Sequence, residues 1–277
     1  MNNLRIAAVC MNSLPGEINI NLKKIESFVN EACEKKVDII CFPELSITGY
    51  ILKNPGNIYS ASESKAIIKK IQAIARSKNL TILAGMIEIS DRERPYITQI
   101  VAGPNGLLGL YRKTHLSPTE RDIYKAGQSI EVFRTGNLIF GVQLCYESHF
   151  PEISTIMALK GAKIIFIPHA SPRGSPEEKL RSWQRHLPSR AFDNAVFLVA
   201  CNQVGQTRKG FSFPGVAIAC GPMGRIITSY GKNKEKMILT EIKMNELFET
   251  RRHKMRYFLP NRRPELYQDI FQDKILN

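Results

Sequence analysis

A chain of 277 residues, 43% hydrophobic and 23% charged, can form one large α/β domain or two small ones. Nothing between its strand-like and helix-like segments reads as a linker, so one domain is expected. It has no leader-like stretch and no apolar run near the ~18 residues of a membrane span, so a cytoplasmic, reducing setting with no membrane partner is expected.

The net charge of +14 raises the question of a nucleic-acid partner. The basic residues are scattered over helix faces (Lys23, Lys24, Lys35, Lys36, Lys69, Lys70) without interleaved aromatics that could stack bases. No nucleic-acid partner is therefore expected, and the charge reads as a solvated surface with a mild pull on anions.

In chain order, residues 21–36 place Leu22, Ile25, Phe28, Val29, Ala32 and Cys33 on one helical face, and the apolar run 37–42 follows. That pattern is an amphipathic helix feeding a buried strand. Residues 63–78 read as helix and 80–86 as strand, and segments 97–102 and 107–111 flank the Gly-Pro-Asn-Gly of 103–106 as a hairpin. The second half repeats the layout: an apolar run at 138–145, a helix at 151–160, a strand at 163–167, a helix at 177–194 and a strand at 196–201. Segments 216–219 and 225–229 then surround Gly221-Pro222-Met223-Gly224. The repetition points to two similar half-sheets facing each other with helices outside.

Three ionisable residues sit just past apolar runs, where α/β folds gather functional groups. Cys145 opens the polar elbow Tyr146-Glu147-Ser148-His149-Phe150-Pro151-Glu152; Glu44 lies in Phe42-Pro43-Glu44-Leu45 and Lys113 in Tyr111-Arg112-Lys113-Thr114-His115. A cysteine nucleophile needs a base or a lowered pKa. Glu44 is the candidate base, its pKa expected to rise by desolvation among apolar neighbours. Attack on an amide carbon creates an oxyanion, for which Lys113 is the candidate partner and the backbone N–H of Tyr146 a second donor. Arg112 should face the other way, because neighbours on an extended segment alternate.

Together these segments resemble the Glu-Lys-Cys triad of the nitrilase, or carbon-nitrogen hydrolase, superfamily. The order Glu44, Lys113, Glu120, Cys145 and the later Arg-Arg-Pro-Glu-Leu-Tyr of 262–267 fall where that family has them, so the resemblance covers nearly the whole chain. It implies a four-layer α-β-β-α sandwich of two pseudo-equivalent halves. The implied activity is cysteine-dependent hydrolysis of a small amide or N-carbamoyl compound through a thioester, without cofactor. It implies that Glu120 fixes Lys113 and helps to shuttle protons. It also implies a homodimer or higher homo-oligomer, with a tail at 251–277 reaching out from a domain at 1–250.

The elbow departs from the family's commonest form: Glu147 stands for an aspartate, and His149 for an arginine. Related carbamoylases hold a substrate carboxylate with arginines after the cysteine; Ser148 and His149 stand here instead, so a carboxylate held at the elbow is not expected. Tyr146 and His149, with His169, Ser171 and Arg173 after another strand, are the candidate substrate contacts. Glu147 and Glu152 are expected to be structural, and His115 is not expected to be a base. The five histidines and six cysteines show no zinc spacing, so no metal is expected. Cys10, Cys33, Cys41, Cys201 and Cys220 read as buried reduced thiols. Two other functions compete: a nitrilase using the same triad, and a non-catalytic binding protein on the same fold. Against the Cys-Trp-Glu of true nitrilases, Cys145-Tyr146-Glu147 differs at Tyr146, which favours an amide or carbamoyl substrate over a nitrile, and is ambiguous at Glu147.

Overall fold

The computed structural model describes residues 3–90, 94–207 and 210–266. The first half of the chain runs β1 (Leu4–Cys10), α1 (Ile18–Glu34), β2 (Ile39–Cys41), α2 (Ala61–Ser77), β3 (Thr81–Glu88), β4 (Tyr96–Gly103) and β5 (Gly106–Arg112). The second begins with β6 (Val132–Thr135), β7 (Leu138–Val142), α3 (Pro151–Leu159), β8 (Ile164–His169), α4 (Pro176–Gln184), α5 (Leu187–Asn194) and β9 (Phe197–Asn202). It continues with β10 (Val204–Gln206), β11 (Ser212–Pro214), β12 (Val216–Cys220), β13 (Ile226–Gly231), β14 (Lys236–Ile242) and α6 (Met244–Arg252).

Two six-stranded sheets result, ordered β14-β1-β2-β3-β4-β5 and β13-β12-β9-β8-β7-β6, and β10 pairs with β11 separately. In the first sheet β1, β2 and β3 are parallel, with β4 and β5 following as antiparallel neighbours. In the second, β7, β8 and β9 are parallel, followed by antiparallel β12 and β13. The halves share one layout, with one asymmetry. The remaining strand of the first sheet is β14, from the far end of the chain, whereas that of the second is β6, which immediately precedes β7.

The side-chain period of two along a strand decides the layers. Ile6, Ala8 and Cys10 pack with Phe140, Val142 and Phe166 between the sheets, while Ala7, Val9 and Met11 pack with Leu22, Ile25 and Ile71 under α1 and α2. Ile153 and Met157 of α3 and Leu187 and Ala191 of α5 join the core on the second sheet. The architecture is therefore the α-β-β-α sandwich. Each fully buried aliphatic or aromatic side chain contributes roughly 1.5–3 kcal/mol relative to exposure. No helix among the described residues is long and apolar enough to cross a membrane.

Three expectations need correction. The helix expected at 177–194 is two helices, α4 and α5. Pro188 has no N–H for the Gln184 carbonyl and its ring clashes there, so α4 ends and a new helix starts with Pro188 in its first turn. The apolar run 138–145 is strand only to Val142, because the chain must turn at Cys145. Cys33 is half-buried, on the rim of α1, whereas Cys10, Cys41, Cys201 and Cys220 are buried as expected.

The start of the expected tail lies against its own chain. Arg251 donates to the carbonyls of Ala195 and Ala162 at 3.0 and 2.9 Å, Phe258 packs on Phe192, and Leu259 is buried. Residues 267–277 of that segment lie outside the described residues.

Candidate active site

β7 delivers Cys145 by a sharp turn. Leu144 is extended and Cys145 takes φ 45°, a left-handed conformation that a non-glycine residue adopts only when its surroundings hold it there. Gln143 supplies that hold: its amide donates to Phe166 O at 2.9 Å, its Nε2 donates to Glu147 O at 3.0 Å, and its Oε1 accepts from Ser154 at 2.9 Å. A short 3-10 turn, Cys145–His149, then leads into α3.

Glu44 follows β2 of the other sheet. Its carbonyl accepts from Gln203 Nε2 at 2.8 Å, and Leu45 after it sits at φ 57°. The turn is tied to β3 by Ile47 N donating to Gly85 O at 2.8 Å and Gly85 N donating to Ser46 Oγ at 3.0 Å. Lys113 follows β5, its N–H given to Ile97 O and its carbonyl accepting from Gly127 N. Arg112, on the opposite face as expected, pairs with Glu88 at 2.6 Å and lies over the Tyr96 ring.

Lys113 Nζ lies 2.8 Å from Glu44 Oε1 and 2.9 Å from Glu120 Oε2, all three side chains buried. Glu120 is oriented by the Ser117 amide at 2.8 Å, and the second oxygen of Glu44 accepts from Ala170 N at 2.9 Å. Desolvation raises the Glu44 pKa, with Lys113 opposing and Glu120 assisting. Burial alone would lower the Lys113 pKa, but the two carboxylates reverse it and hold the ammonium charged. Cys145 is pushed well up, by burial first and by Glu44 next, so the resting group is a thiol. A carboxylate made more basic beside a protonated thiol can take that proton as sulfur attacks an electrophile, with the ammonium fixed nearby.

Cys145, Lys113 and Glu120 line one cavity of about 390 Å³. Glu44 is buried against Lys113. Each expected substrate contact, Tyr146, His149, His169, Ser171 and Arg173, is on the cavity wall. His169 packs on Trp183 and donates from Nδ1 to Ile167 O at 2.8 Å; burial depresses its pKa strongly, so the ring is neutral with its proton on Nδ1. His149 stacks on His186 at 4.8 Å. His115 lies against Phe150, away from this cavity. Glu147 is buried and accepts hydrogen bonds from Tyr111, Thr114 and Leu144, the structural role expected of it.

Sequence reasoning missed Tyr50, Phe211, Lys179, Trp183 and His186 on the same wall. Tyr50 closes the quoted segment 42–50 and meets Phe211 edge-on at 5.4 Å. Lys179, Trp183 and His186 stand at i, i+4 and i+7, a spacing that could have revealed one helical face. Among the described residues no group of three His, Cys, Asp or Glu side chains is arranged to hold a metal.

Known proteins resemble the chain along nearly its whole length. The carbon-nitrogen hydrolase family matches residues 5–252. A probable nitrilase of Schizosaccharomyces pombe is 31% identical over 271 residues, covering 96% of this chain and 97% of its own. An N-carbamoylputrescine amidase of Solanum tuberosum is 26% identical, with 96% and 95% covered. Among solved structures, the amidase of Nesterenkonia sp. AN1 shares the fold at TM-score 0.85 and 23% identity, with 96% and 99% covered.

Proposed function

Because the chain belongs to the carbon-nitrogen hydrolase family, we propose that it hydrolyses a small non-peptide amide or N-carbamoyl compound through a thioester on Cys145. The observation that carries this reading is the buried ammonium of Lys113 clamped between Glu44 and Glu120 at 2.8 and 2.9 Å, beside the thiol.

In the first half-reaction Glu44 takes the Cys145 proton while the Sγ–C bond forms. The carbonyl oxygen becomes an oxyanion opposite Lys113, whose charge stabilises it more than it stabilises the neutral amide. Glu44 returns the proton to the leaving nitrogen as the C–N bond breaks, releasing ammonia or an amine. In the second half-reaction Glu44 deprotonates water, which attacks the thioester. The C–S bond breaks, sulfur regains the proton, and the acid leaves. Glu120 orients Lys113 throughout.

The test is ammonia release from a panel of primary amides, N-carbamoyl compounds and nitriles. Cys145→Ala abolishes turnover, Cys145→Ser is poor, and Lys113→Ala and Glu44→Gln each lower the rate at least ~100-fold. A Cys145→Ala protein that keeps hydrolysing the best substrate rules the mechanism out. A wild-type protein inert to the whole panel would favour a binding role. The name of the fission-yeast relative supports a second reading, a nitrilase with the same triad.

A further inference from the structure

Among the described residues Lys179 is a cation without a paired carboxylate. The capping box of α4, in which Ser175 Oγ accepts from Glu178 N while Glu178 Oε2 accepts from Ser175 N, fixes the helix start and so sets Lys179 against the cavity. Its half-buried ammonium donates to Ser171 Oγ at 2.8 Å and Pro172 O at 3.4 Å, both uncharged, and among the described residues it forms no ion pair with a carboxylate. An ammonium has three protons, so one is left for the cavity. A lysine in the first turn of a helix is also disfavoured by the helix dipole, and partial burial disfavours its charge further.

The rest of that wall offers Lys179 no free carboxylate among the described residues. Burial lowers the Lys179 pKa, and its neighbour Cys145 acts in the other direction. His149 is lowered by burial, then by Arg190 and Lys179. Arg173 stands at the rim, and the one carboxylate lining the cavity among the described residues, Glu120, is already committed to Lys113.

We propose that Lys179 binds a carboxylate at the far end of the substrate, so that the preferred substrates are monoamides of short dicarboxylic acids or N-carbamoyl amino acids. The Ser171 hydroxyl, which accepts from Lys179, keeps its own proton to donate to the same carboxylate. This rests on the hydrolase reading above, and it moves the anion site from the elbow, where Ser148 and His149 offer none, to α4. A cationic substrate would meet Lys179 and Arg173 and be repelled.

The experiment compares three primary amides of one shape: succinamate, butyramide and 3-aminopropionamide, which end in carboxylate, methyl and ammonium. It is repeated one methylene longer. Wild-type kcat/KM should favour the anion over the methyl compound by ~10–100-fold, the worth of a charge-assisted hydrogen bond, with the cation slowest. Lys179→Met should cut the anion-to-methyl ratio at least tenfold, and Lys179→Arg should restore part of it. Equal kcat/KM for anionic and neutral amides, or preference for the cation, overturns the proposal, as does an unchanged ratio in Lys179→Met. Calorimetric titration of Cys145→Ala with succinate and glutarate keeps the two readings apart. Binding that weakens at least tenfold with Lys179→Met supports the anion site even if no amide is hydrolysed, and absence of binding of either anion overturns it.

Discussion

The carboxylate of Glu147, two residues past Cys145, accepts the backbone N–H of Thr114, the residue after Lys113, at 2.8 Å. The same oxygen accepts from the Tyr111 hydroxyl at 3.1 Å, and the other accepts from Leu144 N at 2.6 Å. One buried side chain thus joins the end of β5 in the first sheet to the elbow after β7 in the second, and so sets thiol against ammonium.

Glu147→Gln tests this link. A glutamine has one acceptor oxygen, and its NH2 would face a backbone donor, leaving Thr114 N–H or Leu144 N–H buried without a partner. An orphaned buried donor and a broken charged network cost about 2–4 kcal/mol. Urea denaturation should show that loss, and kcat on the best amide should fall ~100-fold with a smaller change in KM. A variant with kcat within threefold of wild type would mean that the elbow is held by other contacts.

Gly85 supports Glu44 by having no side chain. A Cβ there would lie 2.3 Å from Leu45 N and 2.9 Å from the Glu44 carbonyl carbon, both backbone atoms that cannot swing aside. Gly85→Ala should therefore push the Glu44 turn off β3, with ~1–3 kcal/mol of overpacking strain and at least a tenfold loss in kcat. Gly56 is the control: a Cβ there meets nothing within 4 Å, so Gly56→Ala should leave the urea midpoint and kcat nearly as they were. Equal behaviour of the two variants would refute the argument.

What could be read from the sequence was what is local. Glu44, Lys113 and Cys145 stood out because each follows an apolar run, and the strand-then-turn grammar survives in one dimension. The break in α4 was also visible, in Pro188, but the residues on either side share an amphipathic pattern that hid it. Three features needed the fold. β14 pairs with β1 from the other end of the chain, and nothing in Lys236–Ile242 names its partner. The linking role of Glu147 depends on Tyr111 and Thr114, more than 30 residues upstream. Lys179 reads as an ordinary helix-surface lysine until the cavity shows what faces it.

The histidines beside the cavity make stability depend on pH. His186 packs with both ring nitrogens engaged, Nδ1 with Ser182 O at 3.1 Å and Nε2 with Ser148 Oγ at 3.3 Å, an arrangement that suits the neutral ring. Burial, then His149, pulls its pKa from 6.5 to about 4. Between those values the unfolded chain binds a proton that the folded chain refuses. Stability should therefore be fully present above pH ~6.5 and decline as pH falls through that window. His149 and His169, also lowered, act in the same direction. Urea midpoints from pH 7.5 to 4.5 should fall less steeply in His186→Gln than in wild type; identical slopes would show that His186 titrates alike in both states.

The last expectation concerns the bond that is cleaved. An amide nitrogen must be protonated as it leaves, whereas a nitrile needs protons on its nitrogen without releasing it in the first step. Glu44, with its raised pKa, can carry the cysteine proton to that nitrogen, and Glu120 on the other side of Lys113 can buffer the charge left behind. Of the elbow residues, Tyr146 lies on the amidase side of the family pattern, whereas Glu147 favours neither side. Butyramide and butyronitrile, or succinamate and 3-cyanopropionate, differ only in the reacting group. The amide should be preferred by at least ~1.4 kcal/mol in transition-state binding, a tenfold ratio in kcat/KM. If the nitrile is hydrolysed faster within both pairs, with the acid as product, the protein is a nitrilase that shares the triad.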